Sequence, residues 1–150
     1  MPGLLNYGWR LFAKTLSFAL FGLGALLLSF LVFPAIRLFV HPRRRFRRAL
    51  RRTVSASFSL FVRIMSLLGL IRVRVREPER LRGARSVFVV ANHPSLIDVV
   101  ILIAYLPQAD CIVKAQLWKN PFVGGVVRSL YIPNSLSFEE TVSACADSLA

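Results

Sequence analysis

A histidine and an aspartate stand five residues apart in Asn92-His93-Pro94-Ser95-Leu96-Ile97-Asp98, where an apolar run gives way to a helical pattern. Such a pair can do acid/base chemistry. A carboxylate that accepts the Nδ1–H of an imidazole fixes its tautomer and leaves Nε2 to take a proton from a hydroxyl. The spacing is restrictive, because five residues along a continuous helix rotate a side chain by about 500° and would part the two groups. His93 must therefore lie in a turn before the helix and fold back toward Asp98. The preceding Val87-Phe88-Val89-Val90-Ala91 reads as a buried strand, and Pro94 suits the first helical position, where its missing N–H is no loss. A strand over 86–91, a turn carrying Asn92 and His93, and a helix from Pro94 to about Tyr105 are the expected supports.

Other chemistries fit these residues less well. No further His, Cys or acid lies at ligand spacing, since His41 is in a charge run and Cys111 and Cys145 stand alone, so no metal or redox cofactor is expected. No nucleophile-elbow pattern surrounds Ser95. The competing structural reading makes His93 a turn residue whose bond to Asp98 only closes the helix start.

A second group of residues follows about twenty positions on: Lys114-Ala115-Gln116-Leu117, then Pro121-Phe122, Gly124-Gly125 and Tyr131-Ile132-Pro133. Taken in order, Asn92-His93-x4-Asp98 and this block resemble the first two motifs of the glycerolipid acyltransferases, the 1-acylglycerol-3-phosphate acyltransferase family, over about residues 72–150. The resemblance implies transfer of a fatty acyl group from acyl-CoA or an acyl-carrier protein to the hydroxyl of a lysophospholipid. His93 would be the general base and Asp98 its orienting partner, and no covalent serine is needed. Asn92, Ser95, Lys114 and Asn134 are assigned to substrate binding on the same basis, with a solvated strand-end lysine the other reading of Lys114. Trp118, Phe122 and Tyr131 are expected to pack the core or a membrane face.

Two departures from the family pattern bear on the acceptor. Ile132-Pro133-Asn134 has an asparagine where members that form phosphatidate often carry an arginine, so the acceptor is a lysophosphatidate by default, with another lysolipid or a hydroxylated lipid as the alternatives. The family's third and fourth blocks have no counterpart, because Phe138-Glu139-Glu140-Thr141 lacks the Pro, Gly and Arg of the third. The chain is accordingly read as the N-terminal part of a longer acyltransferase and is expected to be inactive alone.

Charge is divided sharply along the chain. Residues 1–76 hold fourteen Lys and Arg and no acid, whereas residues 77–150 hold six basic and seven acidic residues, so the net +13 belongs to the N-terminal half. Residues 15–36 form an uncharged stretch that as a helix would be roughly 33 Å long against a hydrocarbon core of about 30 Å. A helix over about 15–40 that can span a bilayer is expected. A signal peptide is the rival, but the dense positive cluster follows where a cleavage site should be. Pro34 is expected to kink the helix.

His41-Pro42 then opens a run with seven arginines in 43–52, read as a turn whose partners are anionic lipid headgroups and which keeps its flank cytoplasmic. Nucleic acid is the rival partner, without an accompanying reading motif. Residues 53–71 are apolar but interrupted by Arg63 and four serines, and are read as a second helix in or dipping into the interface, with a second full span as the alternative.

The expected architecture is α/β: membrane-associated N-terminal helices over 1–71, then an incomplete acyltransferase-type domain over 72–150. Its elements are a half-buried strand over 71–76 with alternating arginines, a polar break over 77–85, the strand and helix around His93, a strand at Cys111-Ile112-Val113, partial helix over 116–129 limited by Gly124-Gly125, and a strand at Tyr131-Ile132. Ser137-x-x-Glu140 is a capping box opening a last helix on which Val142, Cys145 and Leu149 share a face. The alternative in a different functional class is a non-catalytic, membrane-anchored basic module that binds anionic lipid or an acidic partner.

Overall fold

A computed structural model describes residues 2–84, 86–92, 95–120 and 123–149 of the chain. Helix dominates, at 71 % of residues against 3 % strand.

The apolar N-terminal stretch forms α1 (Pro2–Leu27), a single π turn (Leu28–Val32) and α2 (Phe33–Phe39). Together Asn6–Phe39 make 34 residues of helix long and apolar enough to cross a bilayer. Where a kink was expected at Pro34, the helix has that π turn directly before it. A proline ring collides with the preceding turn and supplies no N–H, and one widened turn, closed by the Phe33 N–H on the Leu28 carbonyl, accommodates both defects.

The chain reverses at Val40–Pro42 and enters α3 (Arg43–Leu67). The arginine run is therefore not a turn. It occupies the first turns of a 25-residue helix, as suits a good helix former interleaved with Phe46, Ala49 and Leu50. α3 is in contact with other helices. It packs against α1, with Phe21 stacked near Phe58 and Phe61, and more extensively against α5 (Leu96–Tyr105). The core sits at that junction, where Leu28, Phe33, Leu50, Val54, Ile103, Val126 and Leu130 are buried together. Arg63 is exposed.

One row of α3, at four-residue spacing, makes the polar seam with the rest of the chain. Arg51 pairs with Asp110, Arg47 approaches the same carboxylate at 3.6 Å, and Ser55 and Ser59 donate to the carbonyl of Ala104 at 3.3 and 3.2 Å. Ala104 lies in the last turn of α5, whose carbonyls have no partner within their own helix, so two hydroxyls from α3 complete that end.

Two expected strands do not form. Over 71–76 the alternation survives as burial, with Ile71, Val73 and Val75 half-buried and Arg72, Arg74 and Arg76 exposed, but no strand pairs with it among the described residues. Residues 87–90 are not a buried strand either; Val87, Phe88, Val89 and Val90 are between 48 % and 96 % exposed. Both segments carry strand-forming residues, and a ladder needs a neighbouring backbone that neither meets among the described residues. The polar break contains a short helix, α4 (Pro78–Gly83), with Pro78 at its start.

What remains of the α/β expectation is a small β–α–β unit. β1 (Ile112–Val113) and β2 (Ile132–Pro133) pair in parallel, through Ile132 N–H to the Cys111 carbonyl at 3.0 Å and Asn134 N–H to Val113 at 2.8 Å. Because a parallel ladder draws on alternate N–H groups, Pro133 between those two donors costs no bond. The connection is a 3₁₀ turn (Ala115–Lys119) and α6 (Gly124–Leu130). Gly124 and Gly125 begin that helix instead of limiting it, and a Cβ on Gly124 would lie 2.8 Å from the Trp118 carbonyl oxygen. The capping box holds: Ser137 N–H and Oγ both bond Glu140 Oε2 at 2.9 Å at the start of α7 (Phe138–Leu149). These bonds draw the Glu140 carboxyl below its ordinary value. Cys145 is buried on α7 but Val142 is 51 % exposed, so the expected common face is only partly covered; the Leu149 side chain lies outside the described residues.

Burial, with a smaller contribution from Asp110, acts on two acidic groups beside it. Burial, assisted by the Asp110 charge, pushes the Cys111 thiol from its ordinary 9.0 up to about 11. Burial pushes the Tyr131 phenol up as well, with Cys111 and Asp110 adding to it and Arg51 opposing.

Two outcomes follow from this packing. Asp110→Ala leaves the largely buried Arg51 without its partner and should cost about 3–5 kcal/mol, whereas Ser59→Ala removes one neutral bond and should cost about 1 kcal/mol. Thermal unfolding of the detergent-solubilised chain checks the order; equal shifts would contradict it. Because the fold favours the protonated Cys111 thiol, its contribution to stability is complete below pH 9.0 and declines toward about 11. At about pH 8, alkylation at the Cys111 peptide should be slow in the native chain and fast after unfolding, and rapid native labelling would refute the burial argument.

Candidate active site

The helix that was expected to follow the His93 turn is present as α5 (Leu96–Tyr105). Its N-cap is Ser95, in an extended conformation with φ −134° and ψ 159°, so the helix starts at Leu96 and not at Pro94. Pro107 does stand just past its end. His93 and Pro94 lie outside the described residues.

Asp98 is the third residue of α5. Its Oδ2 accepts from the Ser95 N–H at 2.9 Å and from the Ser95 hydroxyl at 2.7 Å, while its own N–H reaches the Ser95 carbonyl at 3.3 Å. A carboxylate in the first helical turn also meets the positive end of the helix dipole. The position is thus electrostatically prepared for a negative charge. Both bonds from Ser95 use one oxygen, so the capping geometry employs Oδ2 and does not require Oδ1.

Asn92, exposed, and Asp98, half-buried, line one cleft with Ala91, Ile101 and Leu102. Asp98, Ile101 and Leu102 share a face of α5 by their spacing of three and four. The cleft holds about 260 Å³, which is room for part of a ligand and less than a drug-sized pocket of about 300–1,000 Å³. A polar rim on an apolar wall can admit a hydroxyl attached to a hydrocarbon chain. A larger hollow of about 440 Å³ lies at Ser66, Gly69, Leu70, Ile71, Arg72 and Val73, but its lining includes no carboxylate or imidazole to act with Ser66 or Arg72.

The other assigned residues lie elsewhere in the fold. Lys114 is exposed between β1 and the 3₁₀ turn, and Asn134 follows β2. The Asn134 Oδ1 accepts from the Ala115 N–H at 3.1 Å, which ties the end of β2 to the start of that turn. Lys114 and Asn134 are therefore neighbours across the small sheet, and Asn92, Ser95 and Asp98 are neighbours at α5. Ser95 and Asn134 both have bonds that serve the backbone, which reading the residues as substrate contacts did not foresee. Tyr131 packs on the core as expected, Trp118 is half-buried, and Phe122 lies outside the described residues.

Sequence reasoning missed Asp110. The signal was present in part, because Arg47, Arg51, Ser55 and Ser59 share a four-residue spacing that marks one helical row.

No group of three or more His, Cys, Asp or Glu residues able to hold a metal ion occurs among the described residues. Searches of curated proteins and of solved structures returned no match. Residues 72–133, which contain the whole of α5, the cleft beside Asp98, and Lys114, match the family model described as Acyltransferase.

Proposed function

We propose that this chain is an acyltransferase that moves a fatty acyl group from a thioester, acyl-CoA or acyl-carrier protein, to the hydroxyl of a membrane lysophospholipid of the 1-acylglycerol-3-phosphate type, in phospholipid synthesis. The observation that carries this reading is the Acyltransferase match over residues 72–133, in which Asn92-His93-x4-Asp98 meets the start of an apolar helix. The apolar helix ending at Phe39 supports a membrane location, where such an acceptor resides.

In this mechanism His93 takes the proton of the acceptor hydroxyl as its oxygen attacks the thioester carbonyl. The tetrahedral adduct collapses, the C–S bond breaks, and the thiolate recovers the proton from the imidazolium. Asp98 orients the imidazole and stabilises its charged form, with Ser95 holding the carboxylate through Oδ2. Asn92 borders the hydroxyl's approach, and Lys114 attracts the anionic groups of donor or acceptor. Asn134 contributes neutral hydrogen bonds, consistent with an acceptor not held by an arginine at that position. The chemistry uses no metal or redox cofactor.

The capping bonds of Asp98 favour a second reading, in which Ser95 and Asp98 are helix-start residues of a non-catalytic membrane module. The two diverge on substitution. Expressed from its native reading frame and assayed with acyl-CoA and lysophosphatidate, His93→Ala should lose about 10²–10⁴-fold in turnover while still sedimenting with membranes. A His93→Ala protein that keeps more than about a tenth of wild-type turnover would eliminate His93 as the base. Asp98→Asn retains an acceptor for the Ser95 N–H and should unfold within about 1 kcal/mol of wild type, yet lose nearly as much activity as His93→Ala. Unchanged activity in Asp98→Asn would favour the capping role alone.

A further inference from the structure

The seven arginines of 43–52 do not act alike. At about 100° per residue, Arg44, Arg45, Arg48 and Arg52 fall within one arc of about 100° on α3, and all four are exposed. Arg47 and Arg51 lie on the adjoining strip, turned toward Asp110, and the Arg51 side chain is only 16 % exposed. A single carboxylate faces those two guanidinium groups, so the run retains a large positive excess. No acid stands in the first turn of α3, where the helix dipole is itself positive and adds to the repulsion. Just before this arc, at the end of α2, Leu38 and Phe39 are 72 % and 81 % exposed. Four guanidiniums with no ion pair among the described residues therefore follow the end of an apolar helix across a turn of three residues.

We propose that Arg44, Arg45, Arg48 and Arg52 form a docking surface for the anionic headgroups of a lipid bilayer, and that Arg47 and Arg51 take no part in it. Charge complementarity selects an anionic partner. The exposed apolar Leu38 and Phe39, which end the apolar helix three residues before α3, select a bilayer over a polyphosphate chain, since they call for hydrocarbon as well as phosphate. The division of labour lets one helix hold the membrane on one side and the remainder of the chain on the other. This rests on the membrane location given above and is independent of acyl transfer.

The test is partitioning of the detergent-purified full chain into vesicles of phosphatidylcholine alone and of phosphatidylcholine with phosphatidylglycerol in equal parts. The ratio of the two isolates headgroup charge, because apolar insertion contributes to both. One arginine near an anionic surface accounts for about fivefold in such a ratio. R44Q/R45Q/R48Q/R52Q should lower the ratio by more than about tenfold without reducing uptake by neutral vesicles. R47Q/R51Q should leave the ratio within about twofold; if that variant unfolds, Asp110→Asn, which frees both arginines, should likewise leave it unchanged. An unaltered ratio in the fourfold variant, or an equal loss per arginine in both variants, would overturn the proposal. So would binding of a short RNA duplex that depends on the same four arginines while the wild type shows no preference for anionic vesicles. Failure of the wild type to enter either kind of vesicle would refute the membrane location itself and overturn the proposal with it, without bearing on acyl transfer.

Discussion

The arrangement hinges on one row of α3, Arg47, Arg51, Ser55 and Ser59, whose polar atoms meet Asp110 and the Ala104 carbonyl. Burying an arginine is unfavourable unless a carboxylate receives it, and leaving a helix carbonyl without a donor in a packed interface is unfavourable as well. The row meets both requirements along a single line. That line fixes how far α5 can slide along α3, because two hydroxyls one turn apart must converge on the same oxygen. Apolar burial around Leu50, Val54 and Ile103 supplies most of the attraction, but it is not directional. The polar contacts give it a register.

That register reaches the candidate site from two directions. At its far end α5 carries Asp98 and the cleft beside Asn92, so a displacement of α5 would move both. Asp110 directly precedes Cys111, from whose carbonyl the parallel ladder to Ile132 begins, and Lys114 follows two residues after that ladder's first strand opens. An N-terminal helix that looks like a separate anchor thus supports both groups of assigned residues. The segment matched by the Acyltransferase model, 72–133, depends for its packing on residues that precede it.

Much of the local structure was legible in the sequence. The capping box at Ser137 and Glu140, the helix ending before Pro107, the strands at 112–113 and 132–133, and the long apolar helix follow from side-chain chemistry within a few residues of each position. The misreadings share a different cause. The arginine run looked like a turn because its charge drew attention from the Phe46, Ala49, Leu50 and Val54 spacing, which is that of a buried helical face. Residues 71–76 and 87–90 have the composition of strands, but a strand exists only where another backbone lies alongside, and local composition carries no information about that partner. Asp110 was overlooked because its arginine is 59 residues away. At the site, Asp98 stands in the first turn of its helix, where it was expected, while its bonds to Ser95 required the position of the N-cap, which Pro94 at the first helical position would place two residues earlier.

The π turn in the N-terminal helix has a geometric effect beyond accommodating a proline. Leu28 and Phe33 are both buried in the same core, yet they are five residues apart, and an unbroken α-helix would point them roughly 140° away from each other. Enlarging one turn inserts a phase correction, so the apolar stripe that reaches the core at Leu28 is still aimed at it at Phe33. In the language of periodic lattices, the helix contains a single dislocation that brings two misaligned halves into phase. Were that extra residue absorbed elsewhere, the last two turns before the arginines would rotate as a body, and Leu38 and Phe39 would face a different direction at the very point where the chain turns back.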